Sequence, residues 1–123
     1  GLCIEALKDK PGIYSARLAK KHGSFFKAMK YILKKLEKKN NRKATFICSL
    51  SYKSKFGKIT SVIGKLKGTI STKILGKKGF GYDPIFIPNN NSITFGQMNK
   101  YKKIKMDHRY IAFKKLKKRV KTL

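Results

Sequence analysis

Apolar and polar positions alternate most regularly between Ala44 and Ile70. Phe46, Cys48, Leu50 and Tyr52 fall on one side of an extended chain and Thr45, Ser49 and Ser51 on the other, with Ile47 among them. A period of two predicts a half-buried strand. Val62, Gly64, Leu66, Gly68 and Ile70 repeat the pattern after Phe56-Gly57-Lys58, which supplies the turn. The two runs therefore predict a long antiparallel hairpin. Gly64 and Gly68 inside the second strand mark a bend, a bulge or a partner backbone packed close.

Upstream, Leu2 to Leu7 is a short apolar run that reads as a strand, with Pro11-Gly12 as the turn after it. Ser24 is placed to cap a helix whose apolar face is Phe25, Met29, Ile32, Leu33 and Leu36, spaced by threes and fours. Its other face carries Lys27, Lys30, Lys34, Lys35 and Lys38, and Asn40-Asn41 closes it. Downstream, Ile85-Phe86-Ile87 reads as a strand and Asn89-Asn90-Asn91 as a turn. Thr94-Phe-Gly-Gln97 fits a capping box at the start of a short helix reaching about Tyr101. Asp107 is an N-cap for a last helix with Phe113, Leu116 and Val120 on its apolar side. Strands and flanking helices without repeats or low-complexity linkers predict one α/β or α+β domain.

Charge changes this picture. Against 32 Lys and Arg stand 5 Asp and Glu, a formal net charge of +27 in 123 residues. Small soluble domains usually carry a magnitude of about 2 to 8. Nucleic acid is the first partner such a surface implies, since basic side chains neutralise phosphates and release counterions. Arginine, which reads bases and clamps phosphates bidentately, occurs only at positions 17, 42, 109 and 119. A lysine-, isoleucine- and asparagine-rich chain is equally the product of an AT-biased genome acting on solvated positions. No apolar run approaches the ~20 residues of a membrane span, which predicts a soluble, cytoplasmic protein. Cys3 and Cys48 stand apart, without the spacing of a zinc site or a disulfide framework.

Candidate chemistry gathers in Gly76-Lys-Lys-Gly-Phe-Gly-Tyr-Asp-Pro-Ile-Phe86. Glycines at 76, 79 and 81 can wrap a loop around Phe80 and Asp83, and Pro84 fixes the conformation of the residue before it. A flexible loop pinned to a strand suits a ligand site, while a glycine-rich hairpin turn with a core Phe80 is the plainer alternative. His108 and Arg109 sit in the first turn of the last helix, where a cation opposes the helix dipole. Arg109 there points to a task other than helix stability, with an ordinary surface Arg beside a half-buried His as the plainer alternative.

Taken in order, Leu7 to Arg17, Gly64-x-x-x-Gly68-x-Ile70, Gly79-Phe-Gly-Tyr-Asp-Pro-Ile-Phe86, Thr94-Phe-Gly-Gln-Met98, Lys103 and His108-Arg109 resemble the inosine triphosphate pyrophosphatase family. The resemblance implies an elongated α/β fold around a long mixed β-sheet with flanking helices, residues 1–123 being the C-terminal two-thirds of one domain. It implies hydrolysis of ITP, dITP and XTP to the monophosphate and pyrophosphate with Mg²⁺, by a protein that is a homodimer when complete. Phe80, Gly81, Tyr82 and Asp83 would form the base and nucleoside pocket, and Lys103, His108 and Arg109 would close over the purine. The family's catalytic Asp would lie upstream of Gly1, and its phosphate-binding motif and metal-binding Glu also match nothing in this sequence. Residues 1–123 are thus expected to be inactive alone, with the Mg²⁺ ligands mainly elsewhere. Gln97 and Asp107 stand where the family usually has Glu and Ser, and Asp107 adds negative charge near the pocket. Two further classes compete with this enzyme: a small Lys-rich nucleic-acid-binding module using Lys100 to Tyr110, and an inactive gene remnant.

Overall fold

A computed structural model describes residues 1–121 and 123. Its centre is the predicted hairpin, β3 (Lys43–Lys53) and β4 (Ile59–Ile70), paired antiparallel so that Phe46 faces Leu66, Cys48 faces Gly64 and Leu50 faces Val62. Short strands flank it: β1 (Leu2–Ile4) and β2 (Lys10–Gly12) on the β3 side and β5 (Phe86–Pro88) on the β4 side. The sheet order is β2-β1-β3-β4-β5, and every pairing among the described residues is antiparallel. The α/β class with flanking helices is as expected. Any parallel pairing of a mixed sheet is not contributed by these five strands.

The even-numbered face of β3 is the buried one. Near β1 it carries Ala44 and Phe46 into a core with Leu2, Ile4, Ile70, Phe86 and Phe95. Helix α2 (Phe25–Leu36) closes that core with Ala28, Met29, Ile32 and Leu36. Ser24 caps it as expected, its hydroxyl accepting from Lys27 N–H at 3.1 Å. Farther along the hairpin Leu50 and Val62 meet Ala112 and Leu116 of α4 (His108–Arg119) in a second, smaller cluster. Here Gly64 is required: a Cβ would run into Ala112 N and His108 O, so its absence lets α4 lie on the strand.

Several local expectations give way to tertiary contacts. The Leu2–Leu7 run is a strand only to Ile4 and then a 3₁₀ turn over Glu5–Leu7, while Pro11 and Gly12 lie inside β2 rather than in a turn. Helix α1 (Ser15–His22) has no counterpart in the sequence reading, because only Ala19 is buried and no side chain caps it. The Thr94–Gln97 box forms by half. Gln97 Oε1 accepts from Thr94 N–H at 3.1 Å, but the Thr94 hydroxyl donates to Leu75 O at 2.6 Å, and the helix α3 starts only at Lys100 (Lys100–Lys103). In α4 the buried face is His108, Ala112 and Leu116, and Phe113 is exposed instead of inward. No helix among the described residues is long and apolar enough to cross a membrane.

Candidate functional site

Three glycines with positive φ, at 76, 79 and 81, shape the loop that precedes β5. At Gly79 (φ 73°) the requirement is double, because a Cβ would also strike Asp83 Oδ2. The chain then makes a 3₁₀ turn over Asp83–Ile85 with Pro84 in its first positions, burying the Asp83 side chain. Asp83 Oδ2 accepts from Phe80 N–H at 3.0 Å and from Lys103 Nζ at 2.6 Å. Lys103 is delivered by α3 and is itself buried. Burial pushes the Asp83 carboxyl up from its usual range, against the pull of the Lys103 and Phe80 hydrogen bonds.

This pair holds Phe80 in place while leaving its ring 54% exposed. Lys103 Nζ lies 4.4 Å and Arg109 Cζ 4.3 Å from the Phe80 centroid, so two cations meet one aromatic ring. Arg109 comes from the first turn of α4, whose cap is Asp107 Oδ1 accepting from Tyr110 N–H at 2.8 Å. His108, beside it, is 8% exposed and stacks on Phe46, with centroids 4.7 Å apart and planes 15° apart. Burial pushes its imidazole down to about 4, with Asp107 opposing and the charges of Arg109 and Lys103 adding to the depression. His108 is therefore neutral at pH 7, and its buried Nδ1 has no hydrogen-bond partner. An unsatisfied buried nitrogen costs on the order of 1 to 3 kcal/mol, which a ligand atom would recover.

Phe80, Asp83, Lys103 and Arg109 are thus brought together, with His108 on the same helical turn as Arg109. Tyr82 points elsewhere. Its hydroxyl donates to Ser15 O at 2.6 Å and its ring meets Phe25 edge-on at 5.2 Å, a tie between the loop and α1. Gly81 (φ 62°) provides the bend between them. Phe46 was legible only as a core position of β3. Its proximity to His108, 62 positions along the chain, leaves no local sequence signal.

The described residues hold no group of three or more His, Cys, Asp or Glu side chains that could grip a metal. Asp83 already faces Lys103, so these residues do not fit a Mg²⁺ site. The arrangement offers binding chemistry in place of metal chemistry: a half-exposed π-face flanked by an arginine and by a lysine with two of three N–H donors left over, with a buried neutral imidazole next in sequence to the arginine.

Known proteins resemble the chain in sequence and fold. The Ham1 family profile matches residues 1–119. The dITP/XTP pyrophosphatase of Borrelia duttonii (strain Ly) is 47% identical over 125 residues, covering 96% of this chain and 62% of that protein. The dITP/XTP pyrophosphatase of Rhodospirillum centenum is 38% identical over 119 residues, 94% of this chain and 59% of that protein. The solved Ham1 protein of Staphylococcus aureus superposes with a TM-score of 0.91 at 34% identity, covering 99% of this chain and 64% of that one. The chain thus spans under two thirds of the length of each of these relatives. A profile match over nearly all of its residues and a shared fold make it a member of the Ham1 family.

Proposed function

We propose that residues 1–123 form the base-recognition part of a nucleoside triphosphate pyrophosphatase acting on the non-standard purine nucleotides ITP, dITP and XTP. One observation carries this: Lys103 and Arg109 converge on the half-exposed ring of Phe80, which a buried Asp83 holds from below. A purine stacks on such a ring whatever its substituents. Discrimination then falls to the polar groups. The 6-oxo oxygen of hypoxanthine or xanthine accepts hydrogen bonds from Arg109, from Lys103 or from an N–H of neutral His108. Adenine turns an amino donor toward the same donors and leaves them unpaired.

Hydrolysis needs a general base and, for the charge developing on phosphate oxygens, a metal. No step of it is routed through residues 1–123, whose carboxylates do not fit that task. Both roles are assigned to a segment corresponding to the part of the relatives that this chain does not span. A cytoplasmic homodimer belongs to the same proposal and is supported by the family resemblance.

Nucleotide binding to the folded chain tests the base-recognition role, by calorimetry with ITP, XTP and ATP. The inosine and xanthosine nucleotides are expected to bind more tightly than ATP. His108→Ala and Arg109→Ala should each erode the preference about ten- to a hundredfold. An unchanged ratio in both variants would overturn the assignment. Turnover is tested separately with Mg²⁺, after joining the chain to the N-terminal part of the Borrelia relative.

A further inference from the structure

The large positive charge is not absorbed by nucleotide recognition. Among the described residues one side-chain ion pair forms, Lys103 with Asp83, and Asp107 is engaged as the cap of α4. The remaining acids, Glu5, Asp9 and Glu37, lie in the segments around β2 and at the end of α2. The far end of the β3–β4 hairpin therefore carries cations with no carboxylate beside them. There α4 ends at Arg119 and leaves the last part of the buried hairpin face uncovered. The result is a groove of about 520 Å³, floored by Tyr52, Thr60 and Val120 and walled by Lys55, Phe56, Lys58, Arg119 and Lys121.

Phe56, at the tip, is 86% exposed, with Lys55 Nζ 5.2 Å from its centroid. An exposed ring on a loop costs solvation without returning packing. Along the edge of β4, Lys115 Nζ and Arg119 donate to the carbonyls of Ile63 and Ser61, at 2.9 and 3.4 Å. These bonds tie the helix end to the hairpin.

We propose that this groove binds single-stranded nucleic acid, the phosphates lying along Lys55, Lys58, Arg119 and Lys121 and a base stacking on Phe56. Charge complementarity selects a polyanion, and a second copy of this cationic groove would bring Lys55, Lys58, Arg119 and Lys121 no counter-charge. Concavity and the aromatic tip favour a strand with bases over a flat membrane surface. Helix α2 also exposes cations against rings, Lys30 over Phe26 and Lys35 over Tyr31, and the latter pair lines a separate cavity of about 820 Å³ whose lining, unlike that of the groove, includes a carboxylate, Asp9. It serves as the internal control.

The experiment is fluorescence anisotropy of the full chain with a short fluorescein-labelled oligo(dT) over a series of KCl concentrations. Phe56→Ala should weaken binding about five- to a hundredfold, the range for loss of one stacked base. The joint change Lys55→Ser, Lys58→Ser, Arg119→Ser and Lys121→Ser should flatten the salt dependence by about three counterions. Four serines at Lys27, Lys34, Lys38 and Lys39 remove the same charge around α2 and should change affinity much less. Equal weakening by the two charge-matched variants, or no effect of Phe56→Ala, would overturn the groove. Phosphatidylserine vesicles that bind in a Phe56-dependent way and displace the oligonucleotide would overturn it in favour of a membrane. Both charge variants lie on exposed positions, and unchanged melting temperatures separate loss of binding from loss of fold.

Discussion

Lys103 and Asp83, twenty positions apart, meet as a buried ion pair with Nζ 2.6 Å from Oδ2. Neither charge reaches water easily, so each is tolerable because of the other. Lys103→Met is expected to destabilise the fold by roughly 3 to 5 kcal/mol, the cost of stranding a buried partner. Urea unfolding should show it as a lower midpoint at unchanged slope. Adding Asp83→Asn to Lys103→Met should recover part of the loss. Strict additivity of the two single changes would show that the pair is not coupled.

Phe80 allows the proposed base stacking to be tested apart from stability, because its side chain is half exposed while its backbone N–H, retained in Ala or Trp, carries the bond to Asp83. Phe80→Ala should weaken ITP and ATP binding alike by about 1 to 3 kcal/mol. Phe80→Trp should retain most of the affinity. Thermal unfolding of both should match the parent, and a large drop in melting temperature would make Phe80 a packing residue instead.

His108 gives the fold a pH dependence of definite sign. Its imidazole sits near 4 when folded against an ordinary 6.5, so the unfolded chain binds more protons between these values. Stability should therefore fall as pH drops from about 6.5 toward 4 and level off below, by on the order of 3 kcal/mol. Asp83, raised by burial, contributes with the opposite sign just above its usual range. Comparing the parent with His108→Asn isolates the histidine, and the variant should show a flatter profile across that window.

Gly64→Ala tests whether the seat of α4 sets the position of the site. A methyl group there meets backbone on the helix, not a side chain that could swing away. Overpacking of this kind costs typically 1 to 3 kcal/mol. Because His108 and Arg109 open that helix, the displacement should also lower the ITP-to-ATP preference. Retained preference with reduced stability would uncouple helix position from recognition.

What the sequence made legible was local. The hairpin follows from alternation confined to 27 residues between Ala44 and Ile70, and the caps at Ser24 and Asp107 are made by the expected hydroxyl and carboxylate. The expected close approach at Gly64 and Gly68 is met by α4 and by the backbone of Ile87. Where two distant segments compete for one group, local rules fail. Thr94 offers its hydroxyl to Leu75 instead of its own turn, and Pro11 is drawn into β2 by pairing with Cys3. Helix α1 escaped because it is only eight residues long, no side chain caps it, and its inward face holds just two apolar residues, Leu18 and Ala19. Of the site, Phe80 and Asp83 stood out from their glycine loop and His108 and Arg109 from the start of the last helix, while Lys103 was named only through the family motif. The charge balance that joins Asp83 to Lys103 could not be read from either segment alone.

Phe46 stacks on His108 and also meets Phe86, tilted at 40° to it, and Phe95 in the core. A ring shared in this way makes the hydrophobic interior and the His108 imidazole two readouts of one packing arrangement. On the proposed role of His108 in base reading, laboratory evolution toward a different nucleobase would have to accept changes in thermal tolerance whenever it altered position 46. Selection for heat resistance acting through the same aromatic cluster would in turn drag nucleobase preference along with it.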